Sequence, residues 1–435
     1  MELAPTGHWV GDDICVSFES WTRQRKIVSI GTNAGAEPLP FQGWHHFKEA
    51  FAPEVVARAV RESERPVTRC LDPFGGSGTT ALACQFLGVA PTTIEVNPYL
   101  ADLIEAKLTA YDADDLVADL GRIVRAVGTL RADMSRFAHM PVTFIESSAT
   151  ERWIYDRAVA RRIAIHLEAI ECLARPHHRR LFKILLGGML IAVSNVVVNG
   201  KGRRYRKGWM NRRTAPAKVD ALFRQRCQSA ITEIHAHRHR RHRGHTLLRG
   251  DCLQQLDQVD AADLAVFSPP YPNSFDYTDV YNVELWMLGY LDGSASNQSL
   301  RHATLCSHVQ IKREFKPAPA GSLRLTRALN RLRRERDALW SSWIPDMVGH
   351  YFYDMHQLLT KLSRTLSTQG EVWAVVGDSR YAGVQIPVAR VLADYAPALG
   401  FCVKSITPFR SMRVSAQQGG QQQLDESLIV LQKLD

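Results

Sequence analysis

No stretch of this sequence stays apolar for long enough to cross a bilayer, and Met1 to Gly7 lacks the basic-then-apolar opening of a signal peptide. A membrane protein is therefore not expected, and a cytosolic one is. Cysteine is sparse and scattered. None of the eight (Cys15, Cys70, Cys84, Cys172, Cys227, Cys252, Cys306 and Cys402) stands in a CxxC pair, so no metal site is expected and reduced thiols are the default. No internal repeat is present, which excludes solenoids and propellers. Acidic residues are nearly missing from one segment. Between Lys201 and Gly250 fifteen Lys and Arg face only Asp220 and Glu233, a net of +13 in a chain whose total is +10. The remainder is close to neutral, near −3 on the same count, so one concentrated basic segment suggests a polyanion-binding surface.

At 435 residues the chain exceeds a usual single core, and a main domain with a large insertion is expected. Residues 1–40 show no periodicity and receive no role. The apolar spacing of Phe47, Phe51, Val55, Val56 and Ala59 predicts a helix over Trp44 to Val60. Pro66 breaks it, and a strand, Val67 to Leu71, runs into Asp72-Pro-Phe-Gly-Gly-Ser-Gly-Thr-Thr80. A helix from Ala81 to Leu87, a strand Pro91 to Glu95 and a helix opened by Asn97-Pro98 follow. This order is a βαβ unit and implies a parallel sheet. Residues 100–195 read as helices. The sheet pattern resumes at Thr246 to Leu248 and at Ala262 to Phe267, which leads into Ser268-Pro-Pro-Tyr271. Beyond a polar stretch at 291–340, holding a basic helix from Leu325 to Trp340, come a helix Met347 to Leu366, a strand Glu371 to Val376 and a helix Pro387 to Leu399. Phe401 to Ile406 and Glu426 to Leu431 are expected to pair as a closing hairpin across a Gln/Gly loop at 417–423.

A glycine turn between strand and helix lets a ligand approach the backbone and meet a helix N-terminus. Here no lysine follows the last glycine, which excludes a phosphate-binding P-loop. Glu95, at the second strand's tip, is placed to accept hydrogen bonds from ribose hydroxyls. Asp72, at the first strand's tip, suits a positively charged ligand better than a pyrophosphate.

These residues resemble the amino-DNA methyltransferases, whose cofactor motif reads Asp-Pro-Phe-x-Gly-Ser-Gly-Thr-Thr and is followed by Ile-Glu-x-Asn-Pro. The matching positions are Asp72, Pro73, Phe74, Gly76, Ser77, Gly78, Thr79 and Thr80, then Ile94, Glu95, Asn97 and Pro98. The resemblance implies S-adenosylmethionine as cofactor, its methionine part held by Asp72 to Thr80 and its ribose by Glu95. It further implies that Phe47, in the segment Phe47-Lys48-Glu49 through Pro53, belongs to the cofactor site, and that Asp251 of Gly250-Asp251 meets the adenine amine. The implied fold is a Rossmann-like, doubly wound α/β sheet with a closing antiparallel hairpin and a largely helical basic insertion. The catalytic domain would be 41–110 with 246–435, the insertion 111–245, and 291–340 a second DNA-contacting insertion.

Ser268-Pro269-Pro270-Tyr271 matches the same family's catalytic tetrad. An exocyclic amine is a poor nucleophile because its lone pair is delocalised into the ring. Accepting hydrogen bonds from its N–H groups localises that pair, and Ser268 with the carbonyl of Pro269 or Pro270 can do so. Two prolines fix φ and remove two donors, which presents acceptors rigidly. Tyr271 can stack on a base that has left the duplex stack. In this family a first-position Ser goes mostly with cytosine N4, and Asp or Asn mostly with adenine N6. The chain is therefore expected to be a site-specific DNA methyltransferase acting on cytosine N4, in a bacterial or archaeal cytosol beside its nucleoid, alone or with a cognate restriction or defence nuclease. Adenine N6, an RNA amine, or a non-catalytic DNA-binding subunit are the alternatives.

Asp276-Tyr277 and Tyr281 to Trp286 either line a base pocket or pack the core, and Gly377-Asp378-Ser379 is expected at the sheet's carboxyl edge. For the DNA, Arg203, Arg204, Tyr205, Arg206, Lys207, Trp209, Arg212 and Arg213 mix cations with aromatics as phosphate contact and base stacking require. The run His235 to His245 is expected to add phosphate contacts that strengthen as the imidazoles charge.

Overall fold

The structure is a computed structural model that describes residues 17–23, 25, 31–32, 35–36, 38–47, 50–199, 202–412 and 424–435. Lys48, Glu49, the 417–423 loop and most of 1–40 lie outside these residues. The strands are β1 (Arg69–Asp72), β2 (Ala90–Glu95), β3 (Val196–Asn199), β4 (Gly202–Tyr205), β5 (Thr246–Arg249), β6 (Ala262–Phe267), β7 (Leu366–Gly377), β8 (Ser379–Tyr381), β9 (Val384–Ile386), β10 (Phe401–Met412) and β11 (Leu424–Lys433).

Seven of them form one sheet in the order β10-β11-β7-β6-β1-β2-β5. The pairs from β7 to β5 are all parallel. β11 is antiparallel to both β7 and β10, so the expected hairpin is present and its second strand is wedged inside the sheet. The chain winds outward in opposite directions from β1 and β6. Their shared boundary is the switch point where α/β sheets bind ligands, beyond the strands' carboxyl ends.

Strand alternation explains why both faces are covered. On β6, Leu264 and Val266 join the apolar cluster on one face, while Ala265 and Phe267 join that on the other. Each fully buried Val, Leu or Phe contributes about 1.5–3 kcal/mol, which makes such a strand central rather than peripheral. The helices of the insertion, Ala113–Val127, Arg157–Glu171, Pro176–Gly187 and Ala217–Ala236, pack through Leu116, Ile163, Leu181 and Phe223 into the cluster that also holds Leu82, Leu103 and Trp373. The insertion thus shares the sheet's core and closes none of its own.

Two elements depart from the sequence expectation. The helix predicted over Trp44 to Val60 is a short 3₁₀ turn, Gln42–Trp44, followed by a helix Glu54–Glu62. Pro53 lies in the middle of the predicted span, where its ring would clash with a carbonyl one turn back. It takes the N-cap position instead. The basic helix ends earlier than predicted, at Leu323–Arg334, with a 3₁₀ turn at Arg336–Ala338.

Candidate active site

At the carboxyl edge, β1 turns through Pro73–Gly78 into the helix Thr79–Leu87. The turn is tied to β2: Gly75 N–H donates to the Ile94 carbonyl (2.9 Å) and Gly76 N–H to Glu95 Oε2 (2.6 Å). A Cβ on Gly75 would lie 2.4 Å from Thr93 and 2.8 Å from Ile104. The motif's variable position is therefore not variable here. Gly76 adopts φ +53° with the Phe47 ring 3.0 Å from where its Cβ would sit. Phe47 in turn stacks on Tyr281, with ring centres 5.5 Å apart.

Asp72 and Glu95 are both buried. Asp72 accepts from Phe74 N–H (2.9 Å), and Glu95 Oε1 accepts from Asn97 N–H (2.8 Å). Burial raises the Asp72 carboxyl to about 6, offset in part by hydrogen bonds from Thr80 and Phe74. Burial raises Glu95 to about 7, against the hydrogen bonds from Asn97 and Gly76, with the nearby Asp72 adding to the rise. Among the described residues no ion pair reaches either carboxyl. Two buried acids without a cation, facing one cavity, fit a ligand that brings positive charge and hydroxyl donors.

β6 ends beside β1, and Ser268 follows it. Ser268, Pro269, Pro270 and Tyr271 line a cavity of about 340 Å³ together with Asp72, Glu95 and the glycine turn. Both predicted motifs thus face one space, although Gly78 is not among its lining residues. Ser268 Oγ lies 3.3 Å from the Tyr271 hydroxyl, which donates to Glu426 Oε1 at 2.8 Å. The Tyr381 hydroxyl holds the Pro272 carbonyl at 2.8 Å, fixing the exit of the tetrad.

The aromatic stretch after the tetrad divides between the two expected roles. Tyr277 and Tyr281 line the cavity, whereas Val283, Leu285 and Trp286 are core. Asp251 does not line this cavity. Its carboxylate caps the following turn by accepting from Leu253 N–H (2.9 Å) and borders an adjoining polar cavity with Arg313, His350 and Asp354. Asp378 also faces elsewhere, held by Gln385 (2.8 Å) and the Val388 N–H (2.9 Å).

Two site residues carried no sequence signal. Lys107, buried beneath the turn, donates to the Ser77 carbonyl at 2.7 Å, and burial pushes its ammonium down to about 7. Glu426 reaches the tetrad because β11 runs in reverse, so its first residues lie at the carboxyl edge, with Glu426 opposite Gly377.

The basic segment is split. The hairpin β3/β4 packs against the short helix Tyr277–Val280, beside the cavity. There Arg204 and Lys207 are exposed and Arg212 is half-exposed. Arg203 lies over the Phe144 ring (5.4 Å), and Arg206 binds the Ser194 and Ile191 carbonyls (3.1 and 2.8 Å). Trp209 is buried between Trp153 and Tyr205, while Arg213 pairs with Glu146 (2.7 Å) and Asp156 (3.0 Å).

The run His235 to His245 lies at the opposite, amino edge, because it feeds directly into the start of β5. Its Arg240 is buried, donating to the Lys107 and Thr109 carbonyls (2.6 and 3.1 Å). The expected phosphate contacts from this run do not fit that position, since a nucleic acid engaged at the cavity is on the other side of the sheet. The arginines of Leu323–Arg334 are exposed on a helix packed against β9. Exposed Trp343 heads the helix Ile344–Thr365, whose far end enters β7 at the amino edge, so Trp343 belongs to the carboxyl edge.

Among the described residues no group of three or more His, Cys, Asp or Glu is placed to hold a metal ion. Nor is any helix there long and apolar enough to cross a membrane.

No family model matches the sequence. The chain is 25% identical over 418 residues to the Type II methyltransferase M.AvaI of Nostoc, covering 88% of this chain and 83% of that protein. It is 24% identical over 445 residues to the Type II methyltransferase M.BsoBI of Geobacillus stearothermophilus, covering 92% of this chain and 86% of that one. Relatives at 24–25% identity over most of the chain are thus Type II methyltransferases, which supports the resemblance to the amino-DNA methyltransferase family. Its methyl donor is accordingly S-adenosylmethionine. An rRNA methyltransferase from Streptomyces viridochromogenes overlays with a TM-score of 0.29 at 11% identity, across 94% of this chain and 90% of that one. Agreement at that level carries no weight. The fold assignment of this chain rests on its strand order.

Proposed function

We propose that this protein is a site-specific DNA methyltransferase of a restriction-modification system that methylates the N4 amine of cytosine. The observation that carries the reading is the meeting of the Asp72 turn and the Ser268 tetrad across the β1/β6 switch point in one cavity. When bound, S-adenosylmethionine supplies a methyl group made electrophilic by the sulfonium. Asp72 would offset the ligand's positive charge, Glu95 would accept from the ribose hydroxyls, and Phe47 would cover the turn that carries Gly76.

On the other side of the cavity, Ser268 and a proline carbonyl would accept from the target amine, sharpening its lone pair, while Tyr271 stacks on the flipped base. As the new N–C bond forms and the C–S bond breaks, the amine becomes cationic. It then loses one proton to water. Catalysis is then positioning and electrostatics, with no covalent enzyme intermediate. Ser268 supports cytosine over adenine. Incubation with random-sequence DNA and labelled cofactor, then mass spectrometry of the nucleosides, should give N4-methylcytosine. N6-methyladenine would overturn the base assignment, and label appearing only in RNA would overturn DNA as substrate.

The carboxyl shifts set a pH dependence. Both Asp72 and Glu95 ionise less readily than usual, and the ligand's charge and hydroxyls favour their ionised forms. Binding below pH 7 must therefore expel protons. Cofactor affinity should fall as pH drops from 8 to 5.5, by up to about tenfold per unit between the two shifted values, where one proton is expelled, and more steeply below both. Calorimetry in buffers of different ionisation enthalpy should detect proton release between pH 6 and 7. A flat affinity profile would dissociate these carboxyls from the ligand.

For the DNA we propose the exposed face of the β3/β4 hairpin, chiefly Arg204, Lys207 and Arg212, with the arginines of 323–334 and Trp343 as a second arm. Lys207→Ala should weaken binding nearly equally on all sequences and lower the log–log salt slope by about 1. Arg243→Ala, in the amino-edge run, should leave the slope unchanged. Equal effects from the two variants would refute this footprint.

A further inference from the structure

The tetrad's serine presents a problem of direction. A hydroxyl both donates and accepts, and its hydrogen rotates to suit its surroundings. Only the accepting orientation activates an amine, because a Ser268 that donated its proton to the target nitrogen would tie up the very lone pair that must attack. Some group has to consume the Ser268 proton.

The structure contains a chain that does so. Glu426 is buried at the cavity wall, and a carboxylate has no proton to give. The Tyr271 hydroxyl, 2.8 Å away, must therefore be the donor in that bond. With its single proton committed to Glu426, the Tyr271 oxygen can only accept from Ser268 Oγ, 3.3 Å away. That contact is long, as catalytic hydrogen bonds commonly are before substrate arrives. The polarity then runs one way, from Ser268 to Tyr271 to Glu426, leaving both lone pairs of Ser268 for an incoming amine.

We propose that Glu426 is a positioning residue that, through the Tyr271 hydroxyl, locks Ser268 as a hydrogen-bond acceptor for the target amine. This rests on the reading of Ser268 given above. The same chain holds the Tyr271 ring by its outer end while the Tyr277 hydroxyl lies 3.4 Å from the Tyr271 backbone nitrogen. The stacking face is thereby fixed together with the serine. Burial and the adjacent Glu426 both push the Tyr271 phenol up, so it keeps the proton that the chain requires.

The test uses the full-length protein, a DNA substrate identified by the nucleoside assay, and single-turnover methyl transfer. Glu426→Gln should slow the transfer step on the order of tenfold, since an amide can satisfy Tyr271 in either direction and releases the serine to donate. Tyr271→Phe, which keeps the ring, should slow it at least as much. The double variant should be no slower than Tyr271→Phe alone, because in the relay Glu426 reaches Ser268 through the phenol. Cofactor affinity should change less than about threefold in all of them, which a general structural defect would not respect.

A normal transfer rate in Glu426→Gln overturns the proposal. So do multiplicative losses in the double variant, or a loss seen in cofactor affinity instead of the transfer step. If Glu426→Gln does not fold, Tyr271→Phe decides alone: an undiminished rate refutes the relay. The underlying reading fails separately, when Ser268→Ala retains full activity. A slow Ser268→Ala beside a normal Glu426→Gln sinks the relay alone.

Discussion

Replacing Ser268 by alanine is expected to lower the single-turnover rate of methyl transfer about 10²- to 10³-fold while leaving cofactor affinity within about threefold. The magnitude follows from what one pre-aimed hydrogen-bond partner contributes in a water-poor site, where charge develops during the step and no reorganisation is required. The selectivity follows from the architecture. Ser268 extends from β6, whereas the residues proposed to hold the cofactor extend from β1 and β2. Truncating a side chain beyond β6 leaves the turn, its ties to Ile94 and Glu95, and the Asp72 carboxyl in place. Equilibrium binding of cofactor to Ser268→Ala, set beside its transfer rate, checks both halves. A rate within threefold of the parent would remove the tetrad from the reaction.

Replacing Asp72 by asparagine should act in the opposite pattern: cofactor affinity drops about 10²-fold, and the ligand-free protein becomes more stable. Asparagine keeps the shape and can still accept from Phe74 N–H. What is lost is the charge, and a buried charge facing a cationic ligand is worth a few kcal/mol. The stability gain has its own sign. The folded carboxyl is raised to about 6 from an ordinary 3.8, so the folded protein holds a proton that the unfolded chain has already lost. Between those values the ligand-free fold therefore loses stability as pH rises, and above them the full deficit persists, at most about 3 kcal/mol. The Asp72→Asn variant, with no proton to lose at that position, has no such deficit. Thermal unfolding at pH 8 should show the variant with a higher midpoint without ligand and a smaller ligand-induced shift. A variant that is less stable when ligand-free and unimpaired in binding would show that Asp72 serves the fold and not the cofactor.

These two residues were legible in the sequence because their chemistry is local. Asp72, the glycine turn and Glu95 lie within one βαβ unit, and Ser268 to Tyr271 are contiguous. In each case the constraint that selects them, a tight turn or a proline-fixed backbone, operates over a few residues. The parallel sheet and its closing hairpin were legible for a similar reason, since period-two burial and turn residues mark strands wherever they pair.

Residues that work across strands were not legible. Glu426 looks like any acid at the head of an apolar strand, and Lys107 like any lysine on an amphipathic helix. The first became part of the cavity wall only because β11 is inserted in reverse, which puts its beginning where the parallel strands end. The second became the prop of the Ser77 carbonyl because the fold lays the helix Pro98–Leu108 beneath the glycine turn. Charge was the most misleading quantity. Reading residues along the chain is enough to find a +13 segment carried by a nearly neutral body. Folding is what sets its hairpin beside the cavity and turns its His/Arg run to the far edge, with Arg240 buried under the helix ends. Net charge is a sum over residues and carries no direction. A parallel strand has two distinct ends, and whichever end a segment feeds decides which face of the molecule its charge reaches.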